Sequence, residues 1–313
     1  MDVEHFFVLN PAAGARSAQR RLESELKKLS PLPYTLYITS GMGDAAAFVR
    51  ETCQSHTEPL RFYACGGDGT LGEVAGGAAG FPHAAVAAWP CGSGNDFIKC
   101  FGGEGRFLDL SRQINAGSVL VDIIKVGERA SINVVNIGLE AHAAATVSRF
   151  RQKPVVGGKN AYLIGTANAV LRHMKTDCTI TADNEVLHQG PLLTASFASG
   201  RYIGGGFLCA PKAVNDDGLM DVCVIRPFSR ATLIKLIGIY KQGGHLDSPA
   251  FKPYLGYTRA KQVRIQTKEE AVLCLDGEII HGKDFNLEII PRAVRFILPD
   301  PLPRDSGEEN PSN

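Results

Sequence analysis

The stretch Tyr63-Ala64-Cys65-Gly66-Gly67-Asp68-Gly69-Thr70-Leu71-Gly72-Glu73 limits the fold more than any other part of the chain. Leu60, Phe62, Tyr63 and Ala64 form an apolar run that reads as a short buried strand. A glycine turn follows, and the pattern from Thr70 reads as a helix start with Glu73 as a capping-box partner. Glycines at 66, 67 and 69 permit positive φ and let a ligand come close to the main chain. The free amides of a helix start favour an anion such as a phosphate. Asp68 stands in the middle of this turn, and a carboxylate there repels a phosphate unless a cation lies between them. The turn therefore points to phosphate together with Mg²⁺. A purely structural glycine turn is the competing reading of this stretch taken alone.

The same pattern recurs on either side. Phe6-Phe7-Val8-Leu9 is a compact strand that stops at Asn10-Pro11-Ala12-Ala13-Gly14, and residues 22, 26 and 29 then mark one helix face. Tyr34 to Thr39 alternates as a second strand, followed by a helix over Ala45 to Thr52. Gly41 to Ala46 and Gly67 to Gly72 both match a dinucleotide fingerprint in form. Neither leads to the acidic residue at the next strand tip that a ribose requires. The strand Ala84 to Trp89 empties instead into Pro90-Cys91-Gly92-Ser93-Gly94-Asn95-Asp96-Phe97. Ser93 and Asn95 can donate to phosphate oxygens there, and Asp96 repeats the logic of Asp68. Two such turns at the carboxyl ends of strands in one open sheet face one crevice.

From about Asp122 the texture changes to strands punctuated by glycine, asparagine and aspartate, as in an antiparallel sandwich. The strands read as Ala130–Ile137, Thr176–Ala182, Leu192–Ser199, Asp221–Ile225, Gln262–Thr267, Ala271–Leu275, Phe285–Ile290 and Ala293–Leu298. Helices are predicted over Asn160 to Lys175 and Arg230 to Gly243. The basic residues Arg149, Arg151, Lys153 and Lys159 read as a solvated loop or as a contact to an anionic membrane surface. Gly204-Gly205-Gly206 precedes the acidic turn Asn215-Asp216-Asp217-Gly218, which reads equally as a hard-cation site or an ordinary hairpin turn. Leu275-Asp276-Gly277-Glu278 is a two-carboxylate turn. If it folded over the phosphate crevice, Asp276 could accept the proton of an attacking hydroxyl.

Length and composition narrow the class. A chain of 313 residues is expected to form two domains, and a hydrophobic share of 44% supports real cores. Lysine plus arginine (33) balance aspartate plus glutamate (32), without the basic excess of a nucleic-acid partner. Eight cysteines without a CxxC pair read as small buried apolar residues, not a zinc site. The start lacks a basic region before a long apolar core, and no run of 18 apolar residues occurs. A cytoplasmic protein able to touch a membrane surface is the expectation.

The ordered set Asn10-Pro11-x-x-Gly14, Gly66-Gly67-Asp68-Gly69-Thr70, Ser93-Gly94-Asn95-Asp96-Phe97, Gly204-Gly205-Gly206, Asp217-Gly218 and Asp276-Gly277-Glu278 resembles the diacylglycerol kinase catalytic-domain family. The soluble bacterial lipid kinases are nearest in pattern, and sphingosine and ceramide kinases share it. The resemblance runs from about residue 5 to residue 298. It implies a three-layer α/β domain with an open, mostly parallel sheet (1–122, with about 292–300 returning to it). An antiparallel β-sandwich (123–291) would bind lipid, and 301–313 would be a disordered tail. It implies ATP- and Mg²⁺-dependent phosphorylation of a lipid alcohol at a membrane surface, most simply diacylglycerol, by a protein whose relatives form dimers.

By this resemblance Asn10, Pro11, Gly14, Arg16 and Thr39 would hold ATP, with Gly66, Gly67, Asp68, Gly69, Thr70, Leu71, Gly72 and Glu73 and with Ser93, Gly94 and Asn95. Asp68, Asp96 and Asp122 would organise a catalytic Mg²⁺, partly through water. Asp276 would be the general base, with Glu278 supporting metal or phosphate. A structural Mg²⁺ would sit on Asp217 and the carbonyls of Val214 and Leu219. The chain departs from the family pattern at Gly72, Lys99, Ala12 and Ala13. An NAD kinase, a kinase of a soluble or sphingoid alcohol, and a non-catalytic binding module are the competing readings.

Overall fold

The computed structural model describes residues 3–14, 17–151, 168, 170, 172 and 174–299. The first half alternates strand and helix: β1 (Glu4–Leu9), α1 (Ser17–Lys28), β2 (Thr35–Ile38), α2 (Asp44–Ser55), β3 (Leu60–Gly66), α3 (Asp68–Ala78) and β4 (Ala84–Pro90). The strands pair in parallel in the order β4-β3-β1-β2. They are apolar along nearly their whole length because helices cover both faces. On one face Val49 of α2 and Val74 and Ala75 of α3 pack on Phe6, Val8, Phe62 and Val86. On the other, Leu22 and Leu26 of α1 and Leu110 of α4 (Leu110–Ile114) pack on Phe7, Leu9, Tyr63 and Trp89. This is the three-layer α/β half that the family resemblance implies.

The second half is antiparallel. It comprises β5 (Ser118–Val126), β6 (Arg129–Ser131), β7 (Val134–Gly138), α5 (Leu139–Arg151), β8 (Thr176–Ala182), β9 (Glu185–Leu192) and β10 (Thr194–Ala198). The short hairpin β11 (Tyr202–Ile203) and β12 (Phe207–Leu208) follows, then β13 (Met220–Ile225), α6 (Arg230–Lys241), β14 (Leu255–Ala260), β15 (Gln262–Leu275) and β16 (Glu278–Ile297). Ile124, Ile137, Phe197, Val222, Leu273 and Leu287 close a sandwich core.

Three features differ from the sequence reading. The expected strand Ala130–Ile137 is broken into β6 and β7 at Ile132-Asn133, whose backbone turns toward Asp276. Residues 262–275 form one strand, irregular between Gln266 and Ala271, rather than two. Phe285–Ile290 and Ala293–Leu298 also belong to one strand, β16, bent between Ile290 and Val294. That strand ties the molecule together: it pairs antiparallel with β15 and β5, and then parallel with β4 at Arg295 and Phe296. A single hydrogen-bonded sheet, β14-β13-β10-β7-β15-β16-β4-β3-β1-β2, therefore runs through both halves.

All eight cysteines are free thiols, buried or half-buried. Among the described residues no helix is long and apolar enough to cross a membrane. The expected helix over Asn160 to Lys175, the basic side chains around it and the expected tail lie largely or wholly outside the described residues.

Phe296 is fully buried, and its ring meets Phe97, Phe101 and Phe107 at centroid distances of 5.1, 5.3 and 5.8 Å. Phe296→Ala should lower unfolding free energy by about 3–5 kcal/mol. Because β16 belongs to both cores, Trp89 fluorescence and far-UV circular dichroism should follow one urea transition in the wild type. Two resolved transitions would contradict the shared ladder.

Candidate functional site

Strand order places β2 and β3 on opposite sides of β1, so the connections diverge at the carboxyl ends of β1 and β3. Open α/β sheets bind ligands at such a divergence. Asn10, Thr39, Gly66 and Pro90 stand at or just beyond the ends of the four parallel strands. Asn10 Nδ2 donates to Thr70 Oγ1 at 3.1 Å, and Asn10 Oδ1 accepts from the Ala12 amide at 3.0 Å. The Cys91 and Gly92 amides donate to the Gly66 carbonyl at 2.9 and 3.2 Å, so the two glycine turns lie back to back. A Cβ on Gly92 would come within 2.5 Å of Gly67 Cα, which only glycine avoids. Gly14 fits under Cys91 in the same way, while Ser93 stands exposed at the rim. Between the turns is a cavity of about 10 Å³, lined by Gly66, Gly67, Asp68, Leu71, Pro90 and Asn95 among others. It holds about one water-sized sphere.

The helix start differs in detail from expectation. α3 begins at Asp68, with Gly67 as its cap and no side chain capping it. Glu73 makes no capping box; it reaches across to α2, accepting from the Gly43 and Ala45 amides at 2.9 and 3.1 Å. Asp68 Oδ1 accepts from the Asp96 and Phe97 amides at 2.6 and 3.2 Å, which brings the two aspartate turns together. Burial first, then the charges of Asp96 and Asp276, hold the Asp68 carboxyl well above its usual range; the two amides oppose this. Asp96 is buried as well. Lys99 Nζ donates to its Oδ1, and the Gly205 amide donates to its Oδ2 at 2.9 Å. Lys99 at its departure from the family pattern thus supplies a local cation.

Asp276 comes from the other half. Leu275 pairs with Glu278, so Asp276-Gly277 is a two-residue hairpin turn, with φ of 49° and 98°. Positive φ at both central residues is what the Asp-Gly dipeptide supplies. The side chain is 8% exposed and sits in a cradle from the break between β6 and β7. Ser131 Oγ and the Val134 amide donate to Oδ1 at 2.8 and 2.9 Å, and the Ile132 amide donates to Oδ2 at 2.8 Å. Burial pushes Asp276 up to about 6, and these donors keep the rise from going further. On its open side lies α3: a Cβ on Gly72 would come within 2.8 Å of Asp276 Oδ2, so glycine there lets the two halves close on each other. Glu278 is half-buried and hydrogen-bonded with Glu73, and Arg129 Nη1 donates to its Oε2 at 3.2 Å. Burial and then Glu73 push its carboxyl up, while Arg129 opposes.

Asp68, Asp96 and Asp276 are therefore brought together, with Glu73 and Glu278 beside them. Four expected roles need correction. Asn95 takes φ of 48° and spends its amide hydrogens inward, on the Gly92 carbonyl at 3.0 Å and Glu104 Oε1 at 2.8 Å, so they are not offered to a phosphate. Asp122 is fully buried elsewhere, its two oxygens taken by the Gly218 and Arg292 amides at 2.7 Å each. Glu278 is engaged with Arg129 and Glu73, so its carboxylate is not offered to a metal or phosphate. Asp217 is paired with Arg259, and its Oδ1 accepts from the Leu219 amide at 3.1 Å; Val214 is exposed. Arg16 lies outside the described residues. Sequence reasoning missed Ser131 and Arg129, whose parts depend on strand pairings that no local pattern announces.

Among the described residues no three His, Cys, Asp or Glu side chains gather at metal-ligating spacing. Mg²⁺ commonly uses only one or two carboxylates and completes its shell with water and substrate phosphate. Asp68 Oδ2 and Asp96 Oδ2 both flank Gly94, 2.8 and 3.1 Å from where a Cβ would sit. That cradle and the mutual repulsion of the carboxylates fit a divalent ion held by Asp68 Oδ2, with Asp96, whose two oxygens already accept from Lys99 and the Gly205 amide, reaching it only through water. The turn carrying Asp217 does not fit one, since both of its carboxylate oxygens already have protein donors.

Comparison with known proteins gives two family matches. The Diacylglycerol kinase catalytic domain matches residues 4–126, and the YegS C-terminal NAD kinase beta sandwich-like domain matches residues 133–298. The chain is 29% identical over 272 residues to a "Probable lipid kinase YegS-like" of Citrobacter koseri, covering 85% of this chain and 86% of the relative. A protein of the same description from Klebsiella pneumoniae is 28% identical over 294 residues, covering 93% and 94%. Two solved structures from Bacillus anthracis str. Sterne share the fold. One has TM-score 0.72 and 24% identity over 95% of each chain. The other, a diacylglycerol kinase, has TM-score 0.64 and 20% identity over 95% and 97%.

The cradle makes a prediction independent of any reaction. Carbon-13 NMR of aspartate-labelled protein, with Asp276→Asn to assign the resonance, should give Asp276 a midpoint near 6. Ser131→Ala removes a donor to the ionised form and should raise that midpoint by about one unit or more. An unmoved or lowered midpoint would contradict the cradle.

Proposed function

Because the chain belongs to the diacylglycerol kinase catalytic-domain family, we propose that it transfers the γ-phosphoryl group of ATP to a lipid hydroxyl, with diacylglycerol as the acceptor and phosphatidic acid as the product. The observation that carries this reading is the meeting of Asp276, from the antiparallel half, with the Asp68 turn of the parallel half. A base and a phosphate-binding helix start supplied from opposite sides of a junction suit an acceptor and a nucleotide that enter separately. The relatives named as lipid kinases support the acceptor class.

In this reading the parallel half, residues 1–122 with 292–300, holds the nucleotide, and residues 123–291 present the lipid. The amides from Gly67 to Thr70 at the start of α3 receive phosphate oxygens. Asn10 and Thr70 fix the edge of that turn through their mutual hydrogen bond. The cavity between the turns is ion-sized, so adenine and ribose lie on the open surface beyond it. Asp68 would hold Mg²⁺, with Asp96 reaching it through water, and the ion neutralises charge on the phosphates when bound. Asp276 accepts a hydrogen bond from the acceptor hydroxyl. As the hydroxyl oxygen bonds to the γ-phosphorus, the bond to the bridging oxygen of ADP breaks and the proton passes to the Asp276 carboxylate. Its donors keep that carboxylate ionised at neutral pH, as a base requires. The protein works in the cytoplasm and meets its lipid at the membrane surface.

The test is a total lipid extract incubated with γ-labelled ATP, Mg²⁺ and the protein. Label should enter a lipid with the mobility of phosphatidic acid. Asp276→Asn should bind ATP as the wild type does and lose turnover by about 10²–10⁴-fold. In the wild type kcat/KM should rise with pH through about 6, as Asp276 loses its proton, and fall below it. Label entering NAD and no lipid, or full turnover by the variant, would overturn the proposal.

A further inference from the structure

The turn Asn215-Asp216-Asp217-Gly218 lies where the bent strand β16 passes from one half to the other. A Cβ on Gly218 would lie 3.3 Å from Pro291 Cγ, and Asp122 accepts from both the Gly218 and Arg292 amides. The turn is crowded with negative charge. Asp122 and Asp221 are fully buried, and burial holds both carboxyls above their usual range; Asp217 and Asp216 add repulsion at Asp122, and Asp217 does so at Asp221. Such a turn needs a positive charge, and the family resemblance puts a divalent ion there.

The geometry supplies a different cation. Arg259 on β14 stands directly across from Asp221 on β13 in the strand register. Its Nε lies 3.4 Å from Asp221 Oδ2, and its Nη2 donates to Asp217 Oδ2. Tyr257 Oη donates to Asp221 Oδ1 at 2.6 Å, and the Leu219 amide takes Asp217 Oδ1 at 3.1 Å. The Asn215 carbonyl turns inward to accept from the Asp122 amide at 2.7 Å. A metal built on Asp217 would have to displace the guanidinium or strip the Leu219 amide of its acceptor. Mg²⁺ demands near-octahedral oxygen ligands and loses water reluctantly, whereas a guanidinium is permanently charged and matches carboxylates with its planar fork.

We propose that Arg259 is the resident cation of this turn, so that the junction between the two halves keeps its shape without a structural metal ion. The claim is independent of the reaction assigned above, because it concerns folding of the nucleotide-free chain.

Thermal unfolding of the nucleotide-free, full-length protein tests it. The background is Asp68→Asn, which removes the carboxylate that would hold the phosphate-side ion. With Arg259 present, Tm should agree within about 1 °C between excess EDTA and millimolar MgCl₂. Arg259→Met should lower Tm by about 3 °C or more in EDTA. Millimolar MgCl₂ should recover part of that loss, because the vacated carboxylates then have room for the ion. The proposal is overturned if EDTA lowers Tm by several degrees with Arg259 present, or if Arg259→Met is as stable as its parent. Should Arg259→Met fail to fold, metal analysis of the gel-filtered Asp68→Asn protein decides. Stoichiometric retained Mg²⁺ contradicts the proposal, and its absence after passage through Mg²⁺-containing buffer supports it.

Discussion

Three buried or nearly buried carboxylates, Asp68, Asp96 and Asp276, feel one another across the meeting of two half-molecules. Like charges within about 6 Å cost on the order of 3 kcal/mol per pair at an effective dielectric near 20. Single hydrogen bonds to a charged group return about half to all of that. The fold supplies such bonds freely: two amides for Asp68, a lysine and an amide for Asp96, a hydroxyl and amides for Asp276. They leave Asp68 and Asp276 with raised proton affinity. A region held together yet short of positive charge suits the cation and polyphosphate of the proposed function.

The rest of the architecture serves that meeting. Parallel pairing puts the turns after β1, β3 and β4 at one edge, where glycines let their backbones touch. Antiparallel pairing of β7 with β15 sets Val134 beside the Asp276 turn and so builds the Asp276 cradle from backbone amides. The long strand β16 is what holds these two constructions in register, because it begins at the Asp276 turn and ends inside the α/β core. The bend that allows this passes Pro291 and Arg292, the latter at φ 50°, and Asp122 accepts from the Arg292 amide there.

Much of this was legible in the sequence where the chemistry is local. The strand, glycine turn and helix start around Asp68 could be read from the sequence, and so could the two-residue hairpin turn at Asp276-Gly277. The two fold classes followed from alternation in one half and turn-punctuated strands in the other. What stayed hidden depends on distant pairing. Asp122 sits in a strand that reads like the others, and only its neighbours across the sheet turn it toward Gly218 and Arg292 instead of Asp68. Ser131 is an ordinary strand residue until β7 meets β15. Arg259 becomes a partner of Asp217 only through its place across from Asp221. Glu73 has the spacing of a capping box, yet the backbone amides of α2 compete for it and win.

The central claim is electrostatic, and nucleotide affinity with and without a divalent ion tests it most directly. Calorimetric titration of ATP into the protein should give at least about tenfold tighter binding with Mg²⁺ than in EDTA, a difference of about 1.4 kcal/mol or more. Asp68→Asn should narrow that gap by removing the charge the ion offsets. Equal ATP affinity in Mg²⁺ and EDTA for the wild-type protein would contradict the account.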